Sequence, residues 1–392
     1  MKYRKDKYGN ELSQLGYGCM RFTGKGAKTD YAKAEREVLH AIENGINYFD
    51  TAYTYVGNEE CLGRILAENN VRDKVNIATK LPQYLIRSRK AIEKTFSEEL
   101  SRLRTDHIDY YLMHMFTDIS EWERLKSYGI EEWIAARKAD GSIRQIGFSY
   151  HGNTDMFLRI LDAYDWDFCQ VQYNYLDETS QAGRRGVEAA AEKGIPVIIM
   201  EPLRGGKLVN LPPKAKRELT DSGKGYTAAE LGLRWLWDQS GVTVVLSGMN
   251  SLEMIDENIK IASKAGPGCF DESDRALTDR VKRIIKENEQ VGCTGCRYCM
   301  PCPQGVDIPS NFYYWNLMYI DKKTPARIEF ARNAGIQKQT GYASQCIECG
   351  KCELHCPQHI QIREMLKKAD KELRPLPYRI VIPALRKVMR RG

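Results

Sequence analysis

Two short cysteine runs near the C-terminus constrain this chain more than any other feature. The first reads Cys293-x2-Cys296-x2-Cys299-x2-Cys302-Pro303 and the second Cys346-x2-Cys349-x2-Cys352-x3-Cys356-Pro357, together eight of the twelve cysteines. Soft thiolates at this density suit tetrahedral iron, and the second run has the spacing of a bacterial-type 4Fe–4S ligand set. Disulfides would need an oxidising compartment. The opening Met1-Lys2-Tyr3-Arg4-Lys5 leads into polar sequence without the apolar core of a secretory leader, so the expected compartment is the cytoplasm. Zinc takes four ligands in all, and rarely needs a third and fourth cysteine so close, followed by proline. Two iron–sulfur clusters are the expectation, and with them redox chemistry.

At 392 residues there is room for a full barrel and a small second module. No apolar run approaches the roughly 18 residues of a membrane span, and no motif suggests nucleic-acid binding. Charge is uneven. From residue 291 onward 17 Lys and Arg face 8 Asp and Glu, and six of those cations with no acid lie beyond Leu373. Such a tail could steer an acidic electron carrier, although Ile380, Val381, Ile382 and Leu385 read as anchors that pack it on the barrel.

Eight apolar strand-like runs precede the cysteines: Leu15–Cys19, Ile46–Phe49, Val75–Thr79, Ile108–Met113, Ile143–Phe148, Phe168–Gln172, Pro196–Met200 and Val242–Leu246. Amphipathic stretches such as Tyr31–Glu43, Lys90–Leu103, Ile130–Lys138 and Thr227–Asp238 separate them. Eight strands alternating with helices predict an α/β protein, a (β/α)8 TIM barrel of parallel strands. A doubly wound sheet would want a G-x-G-x-x-G turn after its first strand, and Gly16-Tyr17-Gly18 lacks the third glycine. The organisation expected is a barrel over 1–270, a connecting helix over 271–290 after the Gly266-Pro267-Gly268 break, a mainly helical two-cluster module over 291–370, and a basic tail over 371–392. Asp50, Lys80 and His114 end three successive strand candidates, where a barrel places its chemistry. Cys19, Cys61, Cys169 and Cys269 have no ligand spacing and read as packing thiols.

From about residue 10 to 265 the chain resembles the aldo-keto reductases. The resemblance rests on Gly45-Ile46-Asn47-Tyr48-Phe49-Asp50-Thr51-Ala52-Tyr53-Thr54-Tyr55 and on Asp109-Tyr110-Tyr111-Leu112-Met113-His114. It implies a catalytic set of Asp50, Tyr55, Lys80 and His114, with Tyr55 as proton donor to a small carbonyl or quinone-like substrate. An unperturbed phenol has a pKa of about 10, and a neighbouring Lys80 cation is expected to bring it down. The resemblance places the nicotinamide cofactor, NADP or NAD, on Ser149, Gln170, Met200, Glu201, Leu203, Gly248, Glu257 and Asn258. Tyr150, Met200 and Met254 stand where the family often has asparagine, a stacking aromatic and a 2′-phosphate-binding arginine. These departures cluster on the cofactor and keep a planar flavin such as FMN in consideration.

The cysteine region resembles helical dicluster ferredoxin modules, in which the last cysteine of each run ligates the other cluster. This implies one set of Cys293, Cys296, Cys299 and Cys356, and a second of Cys346, Cys349, Cys352 and Cys302. Cys302 follows Cys299 by two residues where the family usually has three. Between the runs, Ser310–Tyr319 reads as a helix. Hydride chemistry moves two electrons and a cluster normally one, a mismatch that flavins ordinarily mediate. The combined reading is an iron–sulfur aldo-keto reductase-type oxidoreductase, coupled through its clusters to a ferredoxin or flavodoxin-type carrier. The alternatives are an NAD(P)-dependent reductase with purely structural clusters and a redox-sensing, nucleotide-binding regulatory subunit.

Overall fold

The computed structural model describes residues 1–25, 28–293, 295, 299–320, 322–335, 340–356 and 358–391. It divides into two compact units, Met1–Asp279 and Arg280–Gly392, with the boundary inside the helix Glu272–Lys286.

The first unit is a closed barrel of eight parallel strands. They are β1 (Leu15–Gly18), β2 (Tyr48–Asp50), β3 (Asn76–Leu81), β4 (Ile108–Phe116), β5 (Ile143–Tyr150), β6 (Phe168–Gln172), β7 (Val197–Met200) and β8 (Val242–Ser247). β8 pairs with β1 and closes the ring. Every residue of β2, β6 and β8 is buried, as expected where strands are covered on both faces. Helix starts follow local chemistry: Asp30, Ser88, Asn153, Thr227 and Ser251 each accept a hydrogen bond from the backbone two or three residues inside their helices. Asp118 forms a full capping box with Glu121. A Cβ at Gly63 would lie 2.4 Å from the Arg102 carbonyl oxygen, so glycine alone lets Asn58–Glu68 approach Arg89–Leu103 so closely.

A hairpin of Tyr3–Lys5 and Glu11–Ser13 precedes β1; its three-residue strands are too short to show a period in the sequence. Leu12 from this hairpin joins Tyr48, Ala78, Tyr110, Phe168 and Ile198 inside the barrel. Asp6 accepts hydrogen bonds from Tyr110 Oη (2.7 Å), the Asn10 backbone N–H (2.9 Å) and Gln145. The interior is therefore filled, and the open mouth lies at the opposite, C-terminal strand ends.

The second unit packs the helices Ile308–Ile320, Lys323–Phe330, Ile362–Leu373 and Leu376–Arg391. Its core joins Val306, Phe312, Trp315, Leu317, Phe330 and Leu366. The tail helix corrects one expectation: Ile380 and Val381 are exposed and only Ile382 is buried. Successive helical residues turn by about 100°, so three adjacent apolar residues cannot all face one surface. The side chain of Leu385 lies outside what is described. Cys19, Cys61 and Cys169 are buried packing thiols, whereas Cys269 is half-buried, its Sγ 3.8 Å from the Arg234 carbonyl oxygen. Among the described residues no helix is long and apolar enough to cross a membrane.

Candidate active site and cluster sites

The barrel's stagger brings its ionisable groups together. Asp50 ends β2 and pairs in register with Ala78 of β3; Lys80, two residues further on, points to the same side one step higher. Lys80 pairs with Leu112 of β4, and His114 again lies two residues beyond. There β4 loses regular register with β5, between Met113 and Phe116, and Met115 takes a positive φ of 61°. Ser149 Oγ accepts a 2.7 Å hydrogen bond from the Met115 N–H. Such a bulge re-aims a side chain, here the one at His114.

Lys80 is 1% exposed and its three N–H groups are all engaged: Asp50 Oδ1 and Oδ2 at 2.7 Å each and the Thr51 carbonyl at 2.5 Å. Burial raises the Asp50 carboxyl, and the ammonium opposes that shift. Tyr55 lies in the turn between β2 and Asn58–Glu68, its ring centroid 5.3 Å from Lys80 Nζ and 6.2 Å from the His114 ring. Its phenol differs from expectation. Burial, followed by the negative charge of Asp50, pushes its pKa well above the ordinary value. Lys80 is committed to Asp50, so the pair presents little net positive field to the phenol. His114 is held neutral, first by burial and then by the charges of Lys80 and His151, and its Nδ1 is buried without a partner.

The eight expected cofactor positions fall into two groups. Gln170 faces Asp50 and its buried Oε1 has no partner, an acceptor suited to a carboxamide N–H2. Ser149 is buried beside it in register, opposite Gln170 across β5 and β6. Met200 ends β7; Glu201 follows at φ 53°, and Leu203 is half-buried before the short turn Arg204–Gly206. Gly248 is exposed after β8, where a Cβ would meet Arg21 at 2.5 Å. Glu257 accepts from Thr227 Oγ1 at 2.8 Å, and Asn258 is buried, donating to Ser247 Oγ at 3.0 Å. The nicotinamide end thus offers an orphaned acceptor, and the donor and acceptor types fit that group.

Two mouth residues were not anticipated. Tyr84, in the turn after β3, places its ring 6.1 Å from that of His114. Arg21 reaches within 3.5 Å of the Gly205 carbonyl oxygen and packs over Gly248, joining the β1, β7 and β8 loops with a cation. Neither has a neighbouring motif that marks it in the sequence.

In the second unit, Cys302, Cys346, Cys349 and Cys352 line one cavity of about 230 Å3, and Cys299 shares its wall. The shorter spacing before Cys302 therefore does not keep it from the second run. Cys293 and Cys356 are half-buried; Cys296 and Pro357 lie outside the described residues. The described cysteines are all free thiols, so the donors fit soft-metal ligation.

Two buried asparagines on Ile308–Ile320 fix the approach to each run. Asn316 Oδ1 accepts from the N–H groups of Gln290 (2.7 Å) and Val291 (3.0 Å), and its Nδ2 donates to the Val291 carbonyl (2.7 Å). Asn311 Nδ2 donates to the carbonyls of Asp307 (2.8 Å) and Gly341 (2.7 Å), while its Oδ1 accepts from the Ala343 N–H (3.2 Å). Each pins the backbone two to five residues before the first cysteine of a run.

Residues 14–266 match the aldo/keto reductase family, and residues 292–360 match a 4Fe-4S dicluster domain. The chain belongs to the aldo/keto reductase family and is an oxidoreductase of that class carrying a dicluster extension. Among its relatives, an aldo-keto reductase of Mycolicibacterium smegmatis is 31% identical over 248 residues, 61% of this chain and 79% of that one. The NADP(+) aldo-keto reductase yakc of Schizosaccharomyces pombe is 24% identical over 300 residues, 64% of this chain and 84% of that one. The holo form of the Bacillus halodurans aldo-keto reductase AKR11C1 is similar at TM-score 0.59 and 26% identity, covering 72% of this chain and 96% of its own.

Proposed function

We propose that the barrel reduces a small carbonyl or quinone-like substrate, with Tyr55 as proton donor, and that two 4Fe–4S clusters in the second unit exchange electrons with this chemistry. The observation that carries the reading is the buried Lys80–Asp50 pair set against Tyr55 at the strand ends, with His114 facing the same ring. A reduced nicotinamide, when bound, supplies hydride to the carbonyl carbon. Tyr55 Oη gives its proton to the oxygen as charge develops there, and the C=O becomes CH–OH. A phenol raised by burial holds its proton until charge develops on the carbonyl oxygen. Neutral His114 orients the carbonyl oxygen by a hydrogen bond. Asp50 holds Lys80 beneath Tyr55.

Gln170 and Ser149 are the proposed carboxamide partners, and Met200, Glu201, Leu203, Gly248, Glu257 and Asn258 line the rest of the cofactor path. NADP is supported by the naming of the fission-yeast relative. Met254 at the position of the 2′-phosphate arginine supports NAD as the second choice. Cys293, Cys296, Cys299 and Cys356 are proposed to hold one cluster, and Cys346, Cys349, Cys352 and Cys302 the other. Bound clusters supply one-electron storage, and a flavin such as FMN is the proposed mediator to the two-electron site.

Tyr55→Phe tests the reading on the anaerobically purified protein. Carbonyl reduction should fall by roughly 10²–10⁴-fold, the range of a lost general acid, while nicotinamide Kd stays within about threefold. Near-normal turnover would remove Tyr55 from its role.

A further inference from the structure

The described cysteines of the two runs are not equally accessible. Cys349 is exposed, whereas Cys293, Cys299, Cys302, Cys346, Cys352 and Cys356 are half-buried against the core of the second unit. Among the described cysteines, the cavity that Cys349 lines with Cys302, Cys346 and Cys352 therefore has a ligand that reaches the surface. Around it stand two large, mostly exposed apolar side chains: Ile347, 62% exposed, and Leu354, 83% exposed. Leu354 shares the short helix Lys351–Leu354 with Cys352. Apolar side chains this open, set beside a redox site, have the composition of an interface core.

The charges around them are unevenly matched. Glu348 is paired with Lys367 and Glu353 with Arg363, both at 2.8 Å. Asp370 is shared between two cations, Arg374 at 2.7 Å and Arg379 at 3.2 Å. Lys351 is exposed, lines the cavity, and makes no ion pair among the described residues. The acids here are thus taken up internally while Lys351 is left over, and beyond the paired Arg374 and Arg379 the sequence adds four more Lys and Arg with no acid after Leu373.

We propose that this face, centred on Cys349, Ile347, Leu354 and Lys351, docks an acidic one-electron carrier protein, and that the cluster on Cys302, Cys346, Cys349 and Cys352 is where electrons enter. The proposal rests on the reading that both runs hold clusters. In the step the carrier is oxidised by one electron and this cluster is reduced by one, with no bond made or broken. The apolar pair supplies close contact. The surplus cations orient the encounter and make it salt-sensitive.

The test uses full-length protein with its clusters, purified without oxygen, in wild-type, Lys351→Glu and Leu354→Asp forms. The probe is a reduced plant-type 2Fe–2S ferredoxin, an acidic carrier. Iron and sulfide content and dithionite bleaching near 400 nm report the clusters; stopped-flow bleaching by the ferredoxin and its Kd by surface plasmon resonance report docking. Both variants should keep wild-type iron and dithionite bleaching, yet lose at least about tenfold in ferredoxin rate and Kd. The wild-type rate should fall steeply with salt and the Lys351→Glu rate less so. Unchanged ferredoxin kinetics in both variants, or a loaded wild-type protein that ferredoxin does not reduce, overturns the docking face. Wild-type protein without iron or dithionite bleaching overturns the cluster reading instead.

Discussion

The barrel and the cysteine unit solve the same problem, holding reactive groups in place, by opposite means. In the barrel the protein itself supplies the partners of the buried charge. Lys80 has three acceptors, and β2, which carries Asp50, is buried throughout. In the second unit the described thiols are free, six of them half-buried and Cys349 exposed. What the protein supplies there is the approach: Asn316 and Asn311 fix the chain just before each run and leave the thiol geometry to whatever they bind. A catalytic site that must be ready before its substrate arrives is built in advance. A ligand set is completed by its metal.

The comparison can be broken from the barrel side first. Lys80→Met leaves the Asp50 carboxylate buried without its counter-charge, and removing one member of such a pair costs about 3–5 kcal/mol. Chemical denaturation should show that loss in the barrel transition, together with loss of turnover. A change within about 0.5 kcal/mol would mean that Asp50 is already neutral in the folded state.

Asn316→Leu probes the other region. It strands the N–H groups of Gln290 and Val291 and the Val291 carbonyl, about 2–4 kcal/mol at the usual cost of buried unsatisfied groups. The expected outcome is reduced iron content after purification with the barrel's thermal transition unmoved. Full iron loading in Asn316→Leu would show that the loop needs no such support.

A smaller effect follows from His114. Its folded-state pKa is lowered by burial, by Lys80 and by His151, while in the unfolded chain it returns to about 6.5. Below that value the unfolded state takes up a proton that the folded state refuses, so stability falls as pH drops below 6.5 and is unaffected above it. His114→Gln should flatten the barrel's Tm-against-pH curve between about pH 6.5 and 5. An equally steep curve in the variant would assign the slope to other groups. Smallest is Asp118→Ala, which removes a capping box and should cost about 1 kcal/mol; a loss above about 2 kcal/mol would mean this loop also supports the mouth.

Much of this was legible in the chain. Each of the eight apolar runs is a barrel strand to within a few residues, because strands covered on both faces must be apolar throughout. The ends were less so. Asp50 ends β2 as expected, its charge met by Lys80 from a neighbouring strand, but β2 begins only at Tyr48, two residues after the apolar run does. β4 continues to Phe116 through a bulge that His114 occupies. The Tyr55 phenol is raised, opposite to the sequence-based expectation, because burial comes first and the negative charge of Asp50 second, neither of which its motif shows. Asn311 and Asn316 lie in a stretch that the sequence marks only as a helix, and the fold alone shows the loops that they hold. Ile380 and Val381 read as anchors, but helical geometry turns them outward.

The most direct test is amide hydrogen exchange, followed by mass spectrometry, on full-length protein purified without oxygen, before and after chelation of its iron. Amides between residues 290 and 373 should lose their protection on chelation while those of β2, β3 and β4 keep theirs. If the second unit stayed equally protected without iron, or the barrel strands opened with it, the division between a self-organised and a metal-organised region would be wrong.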